Sequence, residues 1–101
     1  METVYLVLIT HDFVVVEVNG KLYEVHTMFT LDPYETAALV LKAPREALKI
    51  GRAYESTYSL SDFLDIYRKY PAYGTGIKKF AYKYPELVSK IHPEVRKIVG
   101  V

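Results

Sequence analysis

Tyrosines alternate with basic residues along the second half of the chain: Tyr67-Arg68-Lys69-Tyr70, then Lys78, Lys79, Tyr82, Lys83 and Tyr84. These side-chain types can divide the work of holding a polyanion. Ammonium and guanidinium groups take phosphates, and phenol rings stack on bases. From Ile66 to Val101 there are eight basic residues (Arg68, Lys69, Lys78, Lys79, Lys83, Lys90, Arg96, Lys97) against Glu86 and Glu94. Residues 1–44 carry two basic side chains, Lys21 and Lys42, and six acidic ones. The formal net charge is only +1, so the asymmetry lies in distribution. It suits a polyanion-binding face, or two oppositely charged surfaces that meet within a dimer. Tyr67 and Tyr84 fall on inward helix stripes, whereas Tyr70, Tyr73 and Tyr82 are freer. A core ring with its hydroxyl at the surface is the plainer account of such tyrosines.

Other reactive types gather less well. His11, Asp12 and His26 come to one end of the expected sheet, and two imidazoles with a carboxylate are metal-ligand and acid–base types. However, His11 and Asp12 are turn residues, and strand neighbours point to opposite faces. No helical His-x-x-x-His spacing supports a metal site. Glu17 and Glu24 are diagonal neighbours at a solvated hairpin end. His92 precedes Pro93 at a helix end, near carbonyl dipoles. No phosphate-binding loop, nucleophile with a partnered base or dinucleotide fingerprint is present. The expectation is a non-enzymatic protein without metal, cofactor or catalytic residue.

The elements that position these groups begin with a sheet. Val14-Val15-Val16-Glu17-Val18, Asn19-Gly20 and Lys21-Leu22-Tyr23-Glu24-Val25 read as a hairpin, because Asn-Gly accepts the two positive φ values of a type I′ turn. The register follows: Val18 faces Lys21, Val16 faces Tyr23, Val14 faces Val25. His26 then lies opposite Phe13, and Thr27 opposite Asp12. Tyr5 to Ile9 adds a first strand through a His11-Asp12 turn, with Ile9 opposite Val14 and Val7 opposite Val16. One face then holds Tyr5, Val7, Ile9, Val14, Val16 and Val18, with Tyr23 and Val25. The other holds Val4, Leu6, Leu8, Phe13, Val15 and Leu22, with Glu17, Glu24 and His26. Both are too apolar to leave in water. The second is expected to form a homodimer through sheet faces, or else short helices of the same chain wrap both.

Helices fill the rest. Asp32, Pro33 and Glu35 fit N-cap, N1 and N3 of a first helix, with Tyr34, Ala37, Ala38 and Leu41 inward. Pro44 opens a second helix through Ile50, closed by Gly51. Residues 52–59 read as loop. Ser59 or Ser61 caps a third helix carrying Leu60, Phe63, Leu64 and Tyr67 on one face, and Pro71 ends it. Ala72-Tyr73-Gly74-Thr75-Gly76 reads as a turn into a fourth helix with Ile77, Phe80, Ala81 and Tyr84 inward. Pro85 and Pro93 divide the tail into two short helices or one kinked one.

The run from Ser61 to Tyr84 resembles the helix-hairpin-helix motif, in which a Gly-hydrophobic-Gly hairpin presents backbone N–H groups to a nucleic-acid phosphate. The resemblance covers about a quarter of the chain and implies that Gly74, Thr75 and Gly76 supply those donors. Thr75 stands where the motif has an aliphatic residue, and Phe80 where it has a small one. The alternative is a flexible glycine turn, a Thr75 N-cap and lysines on a solvated face.

The chain of 101 residues fits one α+β domain: a three-stranded antiparallel meander (3–30, order 1-2-3), then four to five short helices packed on it (32–99). It has no cysteine, so disulfides and thiolate ligands are excluded. No apolar run suffices for a membrane span, and Met1-Glu2-Thr3 lacks the basic flank of a signal peptide, so a soluble, cytoplasmic protein is expected. Glutamine and tryptophan are absent and Asn19 is the lone asparagine, a depletion that suggests a hyperthermophilic archaeon or its virus. The expected function is DNA or RNA binding through Arg68, Lys69, Gly74, Thr75, Gly76, Lys78, Lys79 and Lys83. The alternative is a self-associating structural or protein-interaction module without nucleic-acid affinity.

Overall fold

The computed structural model describes residues 3–27, 31–49 and 53–101. Four strands form one antiparallel sheet in the order β1 (Val4–Ile9), β2 (Phe13–Val18), β3 (Lys21–His26), β4 (Ala53–Glu55). Helices α1 (Pro33–Lys42) and α2 (Pro44–Lys49) precede β4. Helices α3 (Leu60–Lys69), α4 (Ala72–Lys83), a 3₁₀ segment (Pro85–Lys90) and α5 (Pro93–Val99) follow it. The class is the α+β one that the sequence indicates. The strand β4 corrects the loop expected at 52–59: Ala53 pairs with Val25 and Glu55 with Tyr23. Ile50 and Gly51, the expected end of the second helix, lie outside the described residues.

The hairpin register is as the sequence dictates, with Val14 opposite Val25, Val16 opposite Tyr23 and Val18 opposite Lys21. Asn19 and Gly20 take φ of 50° and 86°, the left-handed values of a type I′ turn. Asn19 also reaches the first strand, its Oδ1 accepting from the Thr3 N–H at 2.9 Å. The glycine-free turn at His11-Asp12 is held by Thr10. Its Oγ1 donates to the Phe13 carbonyl (2.9 Å) and accepts from the Phe13 N–H (3.1 Å).

One register expectation fails. Ile9 faces Val14 and Leu8 faces Val15, but Leu6 rather than Val7 faces Val16, because a bulge sits between Leu6 and Leu8. The extra residue, Val7, turns its carbonyl to the Tyr67 hydroxyl, which donates to it at 2.6 Å. The slip exchanges the faces of Val4, Tyr5 and Leu6. Tyr5 now shares a face with Glu17, and His92 meets both there. The Tyr5 and His92 rings stand edge-on at 5.5 Å, and His92 Nε2 lies 3.6 Å from Glu17 Oε2.

Val14, Val15 and Val16 are all 0% exposed although successive residues point to opposite faces. The chain's own elements therefore cover both faces at these three positions. Three helices, α1, α3 and α4, lie against β1. Its outer edge is closed by Ile91, which bridges Leu6 in parallel, and by the His92 N–H donating to the Leu6 carbonyl at 2.8 Å. The edge is thereby paired at its middle, Leu6.

Caps begin the helices where their side chains stand. Asp32 Oδ1 accepts from the Glu35 N–H at 2.7 Å. Ser59 and Asp62 form a reciprocal capping box that opens α3. In α5, His92 Nδ1 accepts from the Glu94 N–H at 3.1 Å, so the histidine is itself the cap.

Candidate nucleic-acid interface

The C-terminal half of α3 and the whole of α4 meet at a tight corner, Tyr70-Pro71. The Tyr70 N–H still donates to the Ile66 carbonyl, closing α3. Tyr73 and Gly74 then donate to the Tyr70 and Pro71 carbonyls at 3.0 and 2.9 Å, opening α4 at once. The sequence Gly74-Thr75-Gly76 therefore lies inside a helix, not in a turn before it. Gly74 is buried, and a Cβ there would stand 3.6 Å from the Val99 side chain. A Cβ on Gly76 would meet the Ile9 carbonyl at 3.7 Å. The motif resemblance fails on this geometry: the N–H of Gly74 is spent on Pro71, and Gly76 faces the sheet. Neither forms a hairpin that cradles phosphate.

The charged residues fare differently. Arg68, Lys69, Thr75, Lys78, Lys79 and Lys83 are all exposed. At 100° per residue, Thr75, Lys78, Lys79, Tyr82 and Lys83 occupy one side of α4, with Ile77 and Phe80 buried on the other. Tyr82 is 91% exposed, more than any other large apolar or aromatic side chain among the described residues. Some partners are already present. Arg68 pairs with Asp65 at 2.7 Å and Lys83 with Asp32 at 3.6 Å, both half-exposed. Lys79 Nζ sits 6.0 Å from the centre of the Tyr34 ring. Exposed pairs of this kind are worth under about 1 kcal/mol, so a phosphate competes with them readily. Asp32 is held below the usual carboxylate range, first by the Glu35 N–H and then by the Lys83 charge.

Beside this face runs an open groove of about 1230 Å³ between the β1–β2 turn and the α3–α4 corner. Leu8, Ile9 and Phe63 contribute buried apolar surface to it. Tyr34, Tyr58, Tyr70 and Tyr73 bring aromatic rings, and Lys69, Thr75, Gly76 and Lys79 reach it from the helices. Gly74, Thr75 and Lys78 line a smaller cleft with Tyr67 and Ile98. The groove gathers residues that the sequence disperses: Tyr34 reads there as a core residue and Tyr58 as loop. Only the aromatic content of the 54–58 stretch hints at it.

His11 and Asp12 also line the groove, but His26 does not. His26 stacks instead between Phe13 (5.9 Å) and Tyr54 (5.4 Å, edge-on). Among the described residues, no group of three His, Asp or Glu side chains is placed to hold a metal ion. Nor is any helix among them long and apolar enough to cross a membrane. Comparison with protein-family models, curated proteins and solved structures finds no match for this chain.

Proposed function

We propose that this is a non-enzymatic nucleic-acid-binding protein whose contact surface is the solvent face of α4, extended by Arg68 and Lys69 at the end of α3. The observation that carries the reading is Tyr82. It is 91% exposed amid Lys78, Lys79 and Lys83 on one helix face. Core packing gives no account of a bare ring there, whereas stacking on a base while neighbouring ammonium groups hold the phosphates does. Two carboxylates of the acidic end are engaged within the chain, Asp32 in the cap of α1 and Glu17 against His92.

In this reading the glycines of α4 pack and do not bind. The phosphate contacts come from side chains, Lys69, Lys78, Lys79 and Lys83, with Arg68 released from Asp65. The test is fluorescence anisotropy with labelled DNA and RNA, comparing wild type with a Lys78→Glu/Lys79→Glu/Lys83→Glu variant whose fold is verified by its thermal transition. Binding by wild type and its loss in the variant support the reading. No binding by wild type at low salt contradicts it and leaves the α4 face as a protein-contact surface.

A further inference from the structure

We infer, resting on that reading, that the groove beside α4 takes the unstacked bases of a single strand, so that the protein selects single-stranded over duplex nucleic acid. Three tyrosines stand open along it: Tyr58 and Tyr70 are each 60% exposed and Tyr73 is 38% exposed. Two of them are pre-arranged. The Tyr70 and Tyr73 rings lie 6.3 Å apart at 78°, across the corner between α3 and α4, and Tyr58 is braced edge-on against the buried Phe63 at 6.0 Å. Rings braced against neighbouring rings lose less freedom on stacking, and every base has a π face.

Charge sets which part of the ligand enters. Asp12, Glu24, Asp62 and Asp65 line the groove against Lys69 and Lys79; with Asp65 paired to Arg68, the remaining three carboxylates still outnumber the two lysines. A phosphate chain is repelled from it and follows the lysines of α4 outside. Base edges are not repelled. Carboxylates only accept hydrogen bonds, and the exposed edges of unpaired bases carry N–H donors. In a duplex those faces are stacked and paired, and rings the size of tyrosine do not reach them. Lys69 and Lys79 belong to both surfaces, which makes the groove continuous with the basic face.

The test uses the full chain with labelled single strands and duplexes of equal length, in DNA and RNA arms, alongside Tyr70→Ala/Tyr73→Ala, Tyr70→Phe/Tyr73→Phe and the triple lysine variant. Both tyrosines are exposed, so the fold survives their truncation, and thermal transitions verify it. The inference expects single strands to bind at least about tenfold more tightly than duplexes, and each lost ring to cost roughly fivefold or more. The alanine variant loses the single-strand preference, and the phenylalanine variant keeps it. Equal affinity for the two forms, with the alanine variant binding like wild type while the lysine variant fails, overturns the groove and leaves the basic face standing. Absence of binding by wild type overturns both. The DNA and RNA arms decide which backbone the lysines prefer.

Discussion

Tyr67 shows how one hydroxyl can fix a register. It lies 60 residues from its acceptor and is 3% exposed, and burial pushes its ionisation well above the ordinary tyrosine value of 10.0. Because the folded value is raised, the unfolded chain releases the proton first. The stabilisation is therefore complete below pH 10 and is lost as pH rises above it. Denaturant midpoints should accordingly be insensitive to this group near neutrality and fall in alkali. Tyr67→Phe should lose about 1–2 kcal/mol at neutral pH, since the Val7 carbonyl is left without its donor, and should flatten the alkaline fall. A midpoint unchanged by the substitution would mean that the bulge does not depend on the hydroxyl. Gly74 and Gly76 make the opposite prediction. A Cβ at either meets neighbours only at ordinary contact distance, 3.6 and 3.7 Å. Each Gly→Ala change should therefore stabilise the protein by about 0.5–1 kcal/mol and leave nucleic-acid binding intact. A phosphate-cradling role for these glycines would instead show as lost binding in the alanine variants. At this scale the sequence is readable where one residue speaks for its own neighbourhood, as Asn19-Gly20, Asp32 and Ser59 do. It is not readable at Val7, a residue with no turn chemistry, whose displacement is set by a partner 60 positions away.

At the scale of elements, α5 is the most exposed to its cap, because it has 7 residues and few bonds of its own. His92 joins it to the sheet three ways: its N–H bonds Leu6, its Nδ1 caps the helix and its Nε2 approaches Glu17. The Nδ1 acceptor leaves the Nε2 hydrogen facing the carboxylate. His92→Ala should cost about 1–2 kcal/mol in chemical denaturation, and His92→Asn, which still caps, should recover part of that loss. Equal losses in the two variants would place the stabilisation in the Glu17 and Tyr5 contacts. The same scale explains the two misread elements. Gly74-Thr75-Gly76 carries a breaker signature, yet α4 runs through it, with Gly74 packed toward Val99 and Gly76 toward Ile9. Tertiary packing outweighs a propensity cost of about 1 kcal/mol per glycine. Strand β4, at three residues, is too short to show an alternation. The prolines at 33, 44, 85 and 93 place helix starts correctly, since each fixes φ and lacks a donor that a first turn does not need.

Across the whole molecule, an acidic first half and a basic second half fold so that the two charges are used differently. Asp32 and Glu17 are engaged in a cap and a pair, Asp12 and Glu24 line the aromatic groove, and the lysines of α4 stand on the surface beside it. The excess of basic residues after Ile66 is plain in the sequence, as is their helical spacing. The groove is not, because it joins the β1–β2 turn to a corner some 60 residues further on, and no local pattern announces that meeting. If the α4 face holds nucleic acid electrostatically, binding must weaken steeply with salt. For a single strand, with about 0.7 counterions released per phosphate contact, the lysines at 69, 78, 79 and 83 together with Arg68 predict a slope of log K against log salt of roughly −3 to −3.5. The Lys78→Glu/Lys79→Glu/Lys83→Glu variant, which keeps Arg68 and Lys69, should reduce that slope to roughly −1 and abolish most of the affinity. A wild type that binds with a slope near zero, or a folded triple variant that binds as tightly as wild type, would contradict the assignment of this face.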